Sequence, residues 1–276
     1  MENIAAIDSA KREFGSTFAI VQARMGSTRL PGKVLADLCG APMLQRQLER
    51  VHRATSLDRV VVATSTNETD LLIAELCKSL GVPCFRGDLN DVLARFLGAI
   101  NEFDPEVVVR ITADCPLMSL SVIDSIVQSF FESNCDYLFN TLDPTFPDGV
   151  DVEVIRVSAL RALARLDTDT HEREHVTLGI YRRPEQFVVR NFTGDPDLSN
   201  LQWTVDSPED LEFVRWVYTE LFYTNPNFDL AEIIELLGEN INKSRTDSDL
   251  RRNLALDGLN TGVMQHRNRA PSPTDI

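Results

Sequence analysis

The chain has 276 residues, of which 43% are hydrophobic and 25% charged, the usual composition of a globular protein with one large α/β core or two smaller ones. Its formal net charge of −15 argues against nucleic acid as a partner, because phosphate backbones attract basic surfaces. The sequence has no apolar run of membrane-spanning length, and residues 1–14 carry acidic residues rather than a basic segment followed by an apolar one. We therefore expect a cytoplasmic protein with no membrane partner.

The first apolar run, FAIV at residues 18–21, predicts a buried strand. The loop after it carries Arg24, Arg29 and Lys33, and no acidic residue occurs between residues 22 and 35. A strand that leads into a glycine-containing basic loop is typical of a site that binds polyphosphate through main-chain N–H groups and cations. An ordinary solvated basic turn is the alternative interpretation.

The spacing within this loop differs from two common phosphate-binding motifs. Five residues separate Gly26 from Gly32, whereas a P-loop encloses four, and Val34 stands where a P-loop has the hydroxyl that binds Mg2+. No G-x-G-x-x-G follows the strand, which argues against a dinucleotide-binding unit.

Apolar runs and amphipathic segments alternate through the first 140 residues, which predicts a mostly parallel α/β sheet covered by helices on both faces. The predicted strands lie at residues 19–21, 60–63, 83–85, 107–111 and 136–139, and the predicted helices at about 42–54, 68–80, 89–101 and 119–132. Ligands of such sheets bind beyond the carboxyl ends of the strands. We therefore expect the loop after the first strand and the loop after residues 107–111 to meet at one crevice.

Several aspartates lie at the ends of predicted elements. Asp88 fits the N-cap and Asp91 the first turn of the helix at 89–101. Asp114 follows the strand at 107–111 and lies at the predicted crevice, where nucleotide phosphates need a magnesium ligand. Asp206 follows a short strand and precedes a proline-initiated helix that runs to about residue 222. A helix cap is the alternative role for both Asp114 and Asp206.

Residues 171–175, HEREH, satisfy the H-E-x-x-H pattern of zinc hydrolases. Such a site needs a third ligand and an apolar surround, and neither His52 nor His266 has a recognisable context for that role. The charged residues of the segment instead favour a solvated helix start. The five cysteines are odd in number and form no C-x-x-C pair, so we expect free thiols in a reducing compartment.

The character of the sequence changes after residue 140. Turn residues cluster at 143–149 and charged pairs become frequent, which predicts an insertion at about 140–200 within a main domain at 15–240. An amphipathic helix is predicted at about 228–239. Residues 1–14 are interpreted as an N-terminal extension and residues 241–276 as a mobile tail.

Four segments resemble the sugar cytidylyltransferases, a family that includes the KDO and acylneuraminate enzymes. QARMGSTRLPGK at residues 22–33 resembles the family's first motif, and VDSPEDL at 205–211 is similar to the end of its catalytic domain. RITADCP at 110–116 and FPDGVDVE at 146–153 match the subgroup described as spore coat polysaccharide biosynthesis protein F. The resemblance covers roughly residues 16–223.

This resemblance implies a Rossmann-like fold of the nucleotide-diphospho-sugar transferase type, with an inserted subdomain that binds sugar and forms a homodimer. It implies transfer of CMP from CTP to a sugar, in particular a sugar acid. The implied cofactor is Mg2+, and the second product is pyrophosphate. Two other functions stay open. The chain could be a nucleotide-sugar-dependent glycosyltransferase of the same fold, or a nucleotide-binding subunit without catalytic activity.

The resemblance also implies roles for individual residues. Asp114 and Asp206 are implied magnesium ligands, and the implied catalytic cations are Arg24, Arg29 and Lys33. The implied nucleotide-binding residues are Gln22, Ala23, Arg24, Gly26, Ser27, Arg29, Lys33, Arg95 and Arg110. The implied sugar-binding residues are Asp151, Glu153, Arg173, His175 and Tyr181.

Each of the less certain assignments has a structural alternative. Arg95 equally fits a surface ion pair. Alternation puts Asp151 and Glu153 on one face of a strand, which equally fits an exposed polar face. The segment with Arg173 and His175 equally fits a helix that only packs apolar side chains inward.

Overall fold

The protein is built around one seven-stranded sheet, seen in a computed structural model that describes residues 15–238, 240 and 245–246. The strands in chain order are β1 (Thr17–Gln22), β2 (Asp37–Leu38), β3 (Ala41–Pro42), β4 (Arg59–Ser65), β5 (Cys84–Gly87), β6 (Val107–Thr112), β7 (Tyr137–Phe139), β8 (Glu153–Arg156), β9 (Val189–Asn191), β10 (Leu201–Gln202) and β11 (Arg245–Thr246). The helices are α1 (Met43–Val51), α2 (Leu71–Leu80), α3 (Val92–Phe103), α4 (Leu120–Ser133), α5 (Val157–Leu163), α6 (Thr170–Glu174), α7 (Leu178–Tyr181), α8 (Pro208–Leu221) and α9 (Leu230–Gly238).

The central sheet has the order β5-β4-β1-β6-β8-β7-β9 and is mostly parallel. β1 pairs in parallel with β4 on one side and β6 on the other, and the last residue of β1, Gln22, lies opposite Thr112 at the end of β6. β8 runs antiparallel to both β6 and β7. The loops after β1 and β6 therefore leave the sheet side by side, as the alternating pattern predicts.

Both faces of the sheet are buried. Ala19 and Val21 of β1 pack into one core cluster with α1 and α4, whereas Ile20 packs into a second cluster with α3 and α5. Side chains of successive strand residues point to opposite faces, so a nearly continuous apolar strand can fill both layers.

The predicted strands and helices of the first 140 residues are confirmed, with one shift that has a clear physical cause. The helix predicted at 89–101 begins at Val92 because Asp91, and not Asp88, is its N-cap. Asp91 Oδ1 accepts a hydrogen bond from the Ala94 N–H at 2.9 Å. Asp88 Oδ1 instead accepts from the main-chain N–H groups of Asn90 and Asp91, each at 2.8 Å, so the prediction of Asp88 as the cap is wrong.

The segment at 140–200 contributes to the central sheet through β8 and β9 and covers it with α5, α6 and α7. β8 begins at Glu153, so Asp151 lies before the strand and the prediction that it belongs to an alternating strand face is wrong. The predicted N-terminal extension, and the predicted mobile tail apart from Arg245 and Thr246, lie outside the described residues.

All five cysteines are free thiols, and three of them, Cys77, Cys115 and Cys135, are buried. Among the residues that the structure describes, none of the helices combines the length and apolar character needed to cross a bilayer.

Candidate active site

The loop at residues 23–33 folds around one main-chain carbonyl. The Met25 carbonyl accepts hydrogen bonds from the N–H groups of Ser27 at 3.0 Å and Gly32 at 3.1 Å. No described residue accepts a hydrogen bond from the main-chain N–H of Gly26, Thr28 or Arg29. A Cβ added at Gly26 would have no atom of a described residue within 4 Å. The loop therefore offers unpaired N–H groups beside unfilled space, which is the arrangement that binds phosphate.

Asp70 fixes this loop to the sheet, and the sequence pattern does not single it out. Its carboxylate is buried and accepts hydrogen bonds from the Met25 N–H at 2.7 Å and the Ser65 hydroxyl at 2.5 Å. Ser65 ends β4, the strand beside β1. Asp70 lies shortly after the carboxyl end of a strand, and this position could have identified it as a site residue. Asp70 also lies within the helix predicted at 68–80, so the pattern did not single it out.

Lys33 lies at the centre of the charged residues. Gly32 has φ 73°, a conformation that favours glycine, and this turn directs the chain into a short 3-10 turn at Lys33–Leu35. The ammonium group of Lys33 donates hydrogen bonds to the Val205 carbonyl at 2.6 Å, to Asp206 Oδ1 at 2.9 Å and to Asp114 Oδ2 at 3.3 Å. The structure thus brings together the two predicted metal ligands and one predicted catalytic cation.

The charges of this cluster stabilise each other. Burial lowers the pKa of Lys33, but the nearby carboxylates of Asp114 and Asp206 outweigh it, so the pKa of Lys33 is raised. Burial raises the pKa of Asp114, but the Lys33 ammonium and hydrogen bonding outweigh it, so the pKa of Asp114 is lowered. Arg29 reaches Asp206 Oδ2 at 2.8 Å from the solvent side. Lys33 and Asp114 are therefore both charged at neutral pH.

Main-chain hydrogen bonds bring Asp206 to Asp114 across a long stretch of sequence. The Val205 N–H donates to the Asp114 carbonyl at 2.8 Å. The Asp148 carbonyl accepts from the Trp203 N–H at 2.6 Å and the Thr204 N–H at 3.1 Å. Gly149 has φ 106°, and a Cβ added there would lie 2.7 Å from the Thr204 nitrogen. Only glycine allows the turn at 146–151 to approach the segment before Asp206 so closely.

Neither Asp114 nor Asp206 serves as a helix cap. Ser207 is the N-cap of α8, where it forms a capping box with Asp210, and Ser119 caps α4. The carboxylates of Asp114 and Asp206 are each partly exposed and converge on a single ammonium group, which shows that one cation can contact both. Hard oxygen ligands of this kind fit Mg2+ or Mn2+.

A second polar cluster lies beside the end of β1. Arg110 and Glu153 are directly opposite each other on β6 and β8 and form an ion pair. Arg110 also donates to Gln22 Oε1 at 3.4 Å, and Tyr137 donates to Glu153 Oε2 at 2.9 Å. The hydroxyl groups of Tyr137 and Tyr181 are 2.8 Å apart. The predicted nucleotide and sugar residues therefore meet in one hydrogen-bonded chain.

In this second cluster the Arg110–Glu153 ion pair lies beside two tyrosines whose hydroxyl groups stay protonated. Burial lowers the pKa of Arg110, but Glu153 outweighs it, so the pKa of Arg110 is raised. Burial, reinforced by the charge of Glu153, raises the pKa of Tyr137 and of Tyr181. The sequence pattern does not identify Tyr137 as a site residue. It alternates with Phe139 in an apolar strand, so it looks like an ordinary residue of the hydrophobic core.

Two predicted site residues hold loops instead of facing the crevice. Arg95 is buried, which excludes a surface ion pair, and its guanidinium donates to the main-chain carbonyl groups of Asp88 at 2.7 Å and Leu89 at 3.3 Å. Arg173 donates through Nε to Asp91 at 2.7 Å, so it ties α6 to the N-cap of α3. Burial and then the charge of Arg24 lower the pKa of Arg95, which places the exposed Arg24 near it.

The predicted sugar-binding residues Asp151 and His175 each take part in a shifted pKa. Burial raises the pKa of the Cys115 thiol, and the charges of Asp114 and then Asp151 raise it further. Burial, then the neighbouring His171, lowers the pKa of His175, and Arg110 contributes in the same direction. His175 is the C-cap of α6 and precedes Val176, a buried β-branched residue with φ 53°. That strained conformation fixes where α6 ends.

Comparison with known proteins gives a consistent result. The family model described as "Cytidylyltransferase" matches residues 18–241. The spore coat polysaccharide biosynthesis protein SpsF of Bacillus subtilis is 33% identical over 228 residues, which cover 80% of this chain and 93% of that protein. A 3-deoxy-manno-octulosonate cytidylyltransferase of Zea mays is 38% identical over 126 residues, which cover 44% of this chain and 41% of that protein.

Among solved structures, a cytidylyltransferase from Leptospira borgpetersenii superposes with a TM-score of 0.79 at 29% identity. The match covers 86% of this chain and 99% of that chain. The likeness therefore extends over most of the chain.

Proposed function

Because this chain belongs to the cytidylyltransferase family, we propose that it activates a sugar acid by transfer of CMP from CTP. An acceptor hydroxyl oxygen of the sugar attacks the α-phosphorus. The bond from that phosphorus to the oxygen bridging to the β-phosphate breaks, pyrophosphate leaves with the electron pair, and the hydroxyl proton is lost to solvent. The observation that carries this proposal is the convergence of Lys33, Asp114 and Asp206 beside an unpaired N–H loop.

The loop at 23–33 binds the triphosphate. The N–H groups of Gly26, Thr28 and Arg29 donate to phosphate oxygens, and Arg24, Arg29 and Lys33 neutralise the β- and γ-phosphates. The charge of the leaving pyrophosphate grows in the transition state, so these cations stabilise it more than the ground state. Asp70 acts as a positioning residue because it holds the Met25 end of the loop.

Asp114 and Asp206 would hold the divalent metal. Mg2+ keeps several waters as ligands, so two carboxylates are a sufficient contribution from the protein. When bound there, the metal polarises the α-phosphate and lowers the pKa of the acceptor hydroxyl. Lys33 and Arg29 pair with these carboxylates, so binding of metal and nucleotide would move both cations from the carboxylates to the phosphates.

The second cluster recognises the acceptor. The Nε–H of Arg110 is buried without a hydrogen-bond partner among the described residues, so this guanidinium retains a donor for a substrate carboxylate. Glu153 and Tyr181 then bind sugar hydroxyls, with Asp151 and His175 at the margins. The name of the Zea mays relative supports an acidic sugar, since 3-deoxy-manno-octulosonate is one. The B. subtilis relative supports a role in surface polysaccharide synthesis.

The test is release of pyrophosphate with CTP, Mg2+ and a panel of acidic and neutral sugars. We expect turnover with CTP and an acidic sugar, and little with ATP, GTP or UTP. Asp114→Asn keeps the shape of the side chain and should lower turnover by about a hundredfold or more. Asp37→Asn, at an exposed aspartate, is the matched control and should keep wild-type turnover.

Three outcomes would each contradict part of this proposal. Equal turnover with all four nucleotides would remove the assignment of CTP. Turnover with neutral sugars only would remove the acidic acceptor and leave the nucleotidyl transfer in place. An Asp114→Asn enzyme with unchanged turnover and unchanged melting temperature would show that the carboxylates at Lys33 take no part in catalysis.

A further inference from the structure

The short helix α6 and its C-cap carry three side chains of metal-binding types that lie outside the cluster of Lys33, Asp114 and Asp206. His171, Glu174 and His175 each place one nitrogen or oxygen ligand atom such that the three atoms lie within 4.8 Å of one another. The two imidazole rings are 4.4 Å apart between centroids. Residues separated by three and four positions share one side of a helix, so a single turn presents all three ligands together.

The other two residues of the segment face elsewhere and fasten the helix. Glu172 is buried and pairs with Arg183 at 3.0 Å and Arg182 at 3.2 Å. Arg173 pairs with Asp91, the N-cap of α3. The contacts of Glu172 and Arg173 fix two sides of α6. His171, Glu174 and His175 lie together on the remaining side.

The three ligand atoms are also available. Within the described part of the chain no donor or acceptor is hydrogen-bonded to the side chain of His171, Glu174 or His175. His171 and Glu174 are exposed, so an ion from solvent can reach them. One ligand atom of each side chain therefore lies close to the other two without a competing partner among the described residues.

The ligand set selects a class of ion. Two imidazoles and one carboxylate suit borderline ions such as Zn2+, Co2+ and Ni2+, whereas Mg2+ prefers oxygen ligands. The geometry differs from that of the zinc hydrolases, in which the glutamate after the first histidine acts as base. Here that residue is Glu172, which is occupied by two arginines, and the third ligand is Glu174.

We propose that His171, Glu174 and His175 form a binding site for one divalent transition-metal ion, separate from the carboxylates at Lys33. Three protein ligands leave coordination positions open for water or for an oxygen of a further ligand. The site has no hydrolytic base, so it binds without hydrolysing. It does not depend on the proposed transfer reaction.

The experiment is titration of the untagged full-length protein with Co2+, followed by the visible absorption of the bound ion, and with Zn2+ in competition with a chromogenic chelator. We expect one equivalent of each ion to bind. His171→Ala and Glu174→Gln, at exposed positions, should each weaken binding at least tenfold without changing the melting temperature. His52→Ala removes the exposed histidine that follows the last residue of α1, and this variant should bind like the wild type.

The double variant Asp114→Asn, Asp206→Asn separates this site from the carboxylates at Lys33, and it should keep its equivalent of Co2+. Loss of Co2+ binding in that double variant would overturn the proposal. So would the absence of any bound equivalent in the wild type, or wild-type affinity in both His171→Ala and Glu174→Gln. NMR spectra should show that added Zn2+ shifts the ring signals of His171 and His175, and a shift of His52 instead would also contradict the site.

Discussion

At the scale of single residues, Lys33 contacts the same two carboxylates that we propose as metal ligands. Its ammonium group contacts Asp114 and Asp206 at 3.3 and 2.9 Å, so the two carboxylates already have a cation between them. A second cation placed there is repelled by the first. The metal and Lys33 therefore compete for the carboxylates until phosphate oxygens offer Lys33 another partner.

This competition gives a prediction for Lys33→Met. Turnover should fall by about a hundredfold or more, because the leaving pyrophosphate loses a charge partner. Binding of Mn2+ to the protein without nucleotide should tighten by about tenfold, the size of an ordinary coupling between two sites. The paramagnetic resonance signal of free Mn2+ measures the binding directly.

Lys78→Met is the matched control for this experiment, because Lys78 is exposed on α2, and it should leave both quantities unchanged. Unchanged or weaker Mn2+ binding in Lys33→Met would show that Lys33 does not compete with the metal.

The sequence identifies some of these residues and misses others for physical reasons. Lys33 lies in a basic loop after an apolar strand, and the segments with Asp114 and Asp206 resemble those of the sugar cytidylyltransferases, so all three can be proposed before the fold is known. Asp70 and Tyr137 act only through what they contact, the Met25 N–H and Glu153. Those contacts join residues distant in sequence, and no local pattern encodes them.

At the scale of elements, α6 and α7 are held by a buried carboxylate whose contribution depends on pH. Burial raises the pKa of Glu172, but Arg183 and Arg182 outweigh it, so its pKa is lower in the folded protein than in the unfolded chain. The unfolded state therefore takes up the proton first on acidification. The stabilisation is fully present above the unfolded pKa of about 4.3 and is lost as pH falls through the lower folded value.

Glu172→Gln should therefore lower the free energy of unfolding at pH 7 and lower it by less at a pH below the folded pKa of Glu172, where the wild-type carboxylate is itself protonated; that folded pKa lies below the unfolded value of about 4.3. Urea unfolding at both pH values measures the two differences. Glu185→Gln is the matched substitution at an exposed glutamate. A difference for Glu172→Gln that is the same at both pH values would contradict the role of its charge.

The turn at 146–151 is the element that places the Asp206 segment, and it gives a prediction for Gly149→Ala. The new Cβ would combine an unfavourable φ with a 2.7 Å approach to the Thr204 nitrogen, so the free energy of unfolding should fall by about 2–4 kcal/mol. Turnover should fall as well, because Asp206 shifts with the segment. Thermal unfolding and the pyrophosphate assay measure the two effects.

Gly238→Ala is the control, since nothing lies within 4 Å of a Cβ added in α9, and it should be neutral or stabilise by up to about 1 kcal/mol. Equal stability of Gly149→Ala and the wild type would show that the turn can relax.

The positions of the strands and helices along the chain can be predicted from the sequence, but the order of the strands in the sheet can be predicted only in part. Apolar periodicity places β1, β4, β5 and β6 and the helices between them, because parallel strands buried on both faces read as short apolar runs. The position of β8 between β6 and β7 is not encoded locally. It depends on long-range pairing of Arg110 with Glu153, a contact that only the assembled sheet provides.

At the scale of the whole molecule, the described sheet ends at β9, which pairs on one side only, with β7. Val188 beside it is half exposed. An edge strand of this kind is open to pairing or packing with a second copy. We therefore predict a homodimer of about 62 kDa, twice the chain mass of 31.0 kDa, measured by light scattering.

Val188→Lys should weaken the dimer, since a charged residue at a sheet edge opposes association. Thr66→Lys, at an exposed position directly after β4, is the matched control. A strictly monomeric wild-type protein at micromolar concentration would contradict this prediction and leave the catalytic proposal unaffected.

The contacts of Lys33 also bear on the order in which the protein assembles during its synthesis. Lys33 is bonded to Val205 and Asp206, which are separated from it by 172 and 173 positions in the chain. A nascent chain that has left the ribosome only as far as α7 already contains the phosphate-binding loop and Asp114, but not the Asp206 segment. Domains fold as units while synthesis proceeds from the N-terminus. The proposed catalytic cluster is therefore completed late, and a chain that terminates before residue 201 has the strands of the central sheet without the Asp206 segment.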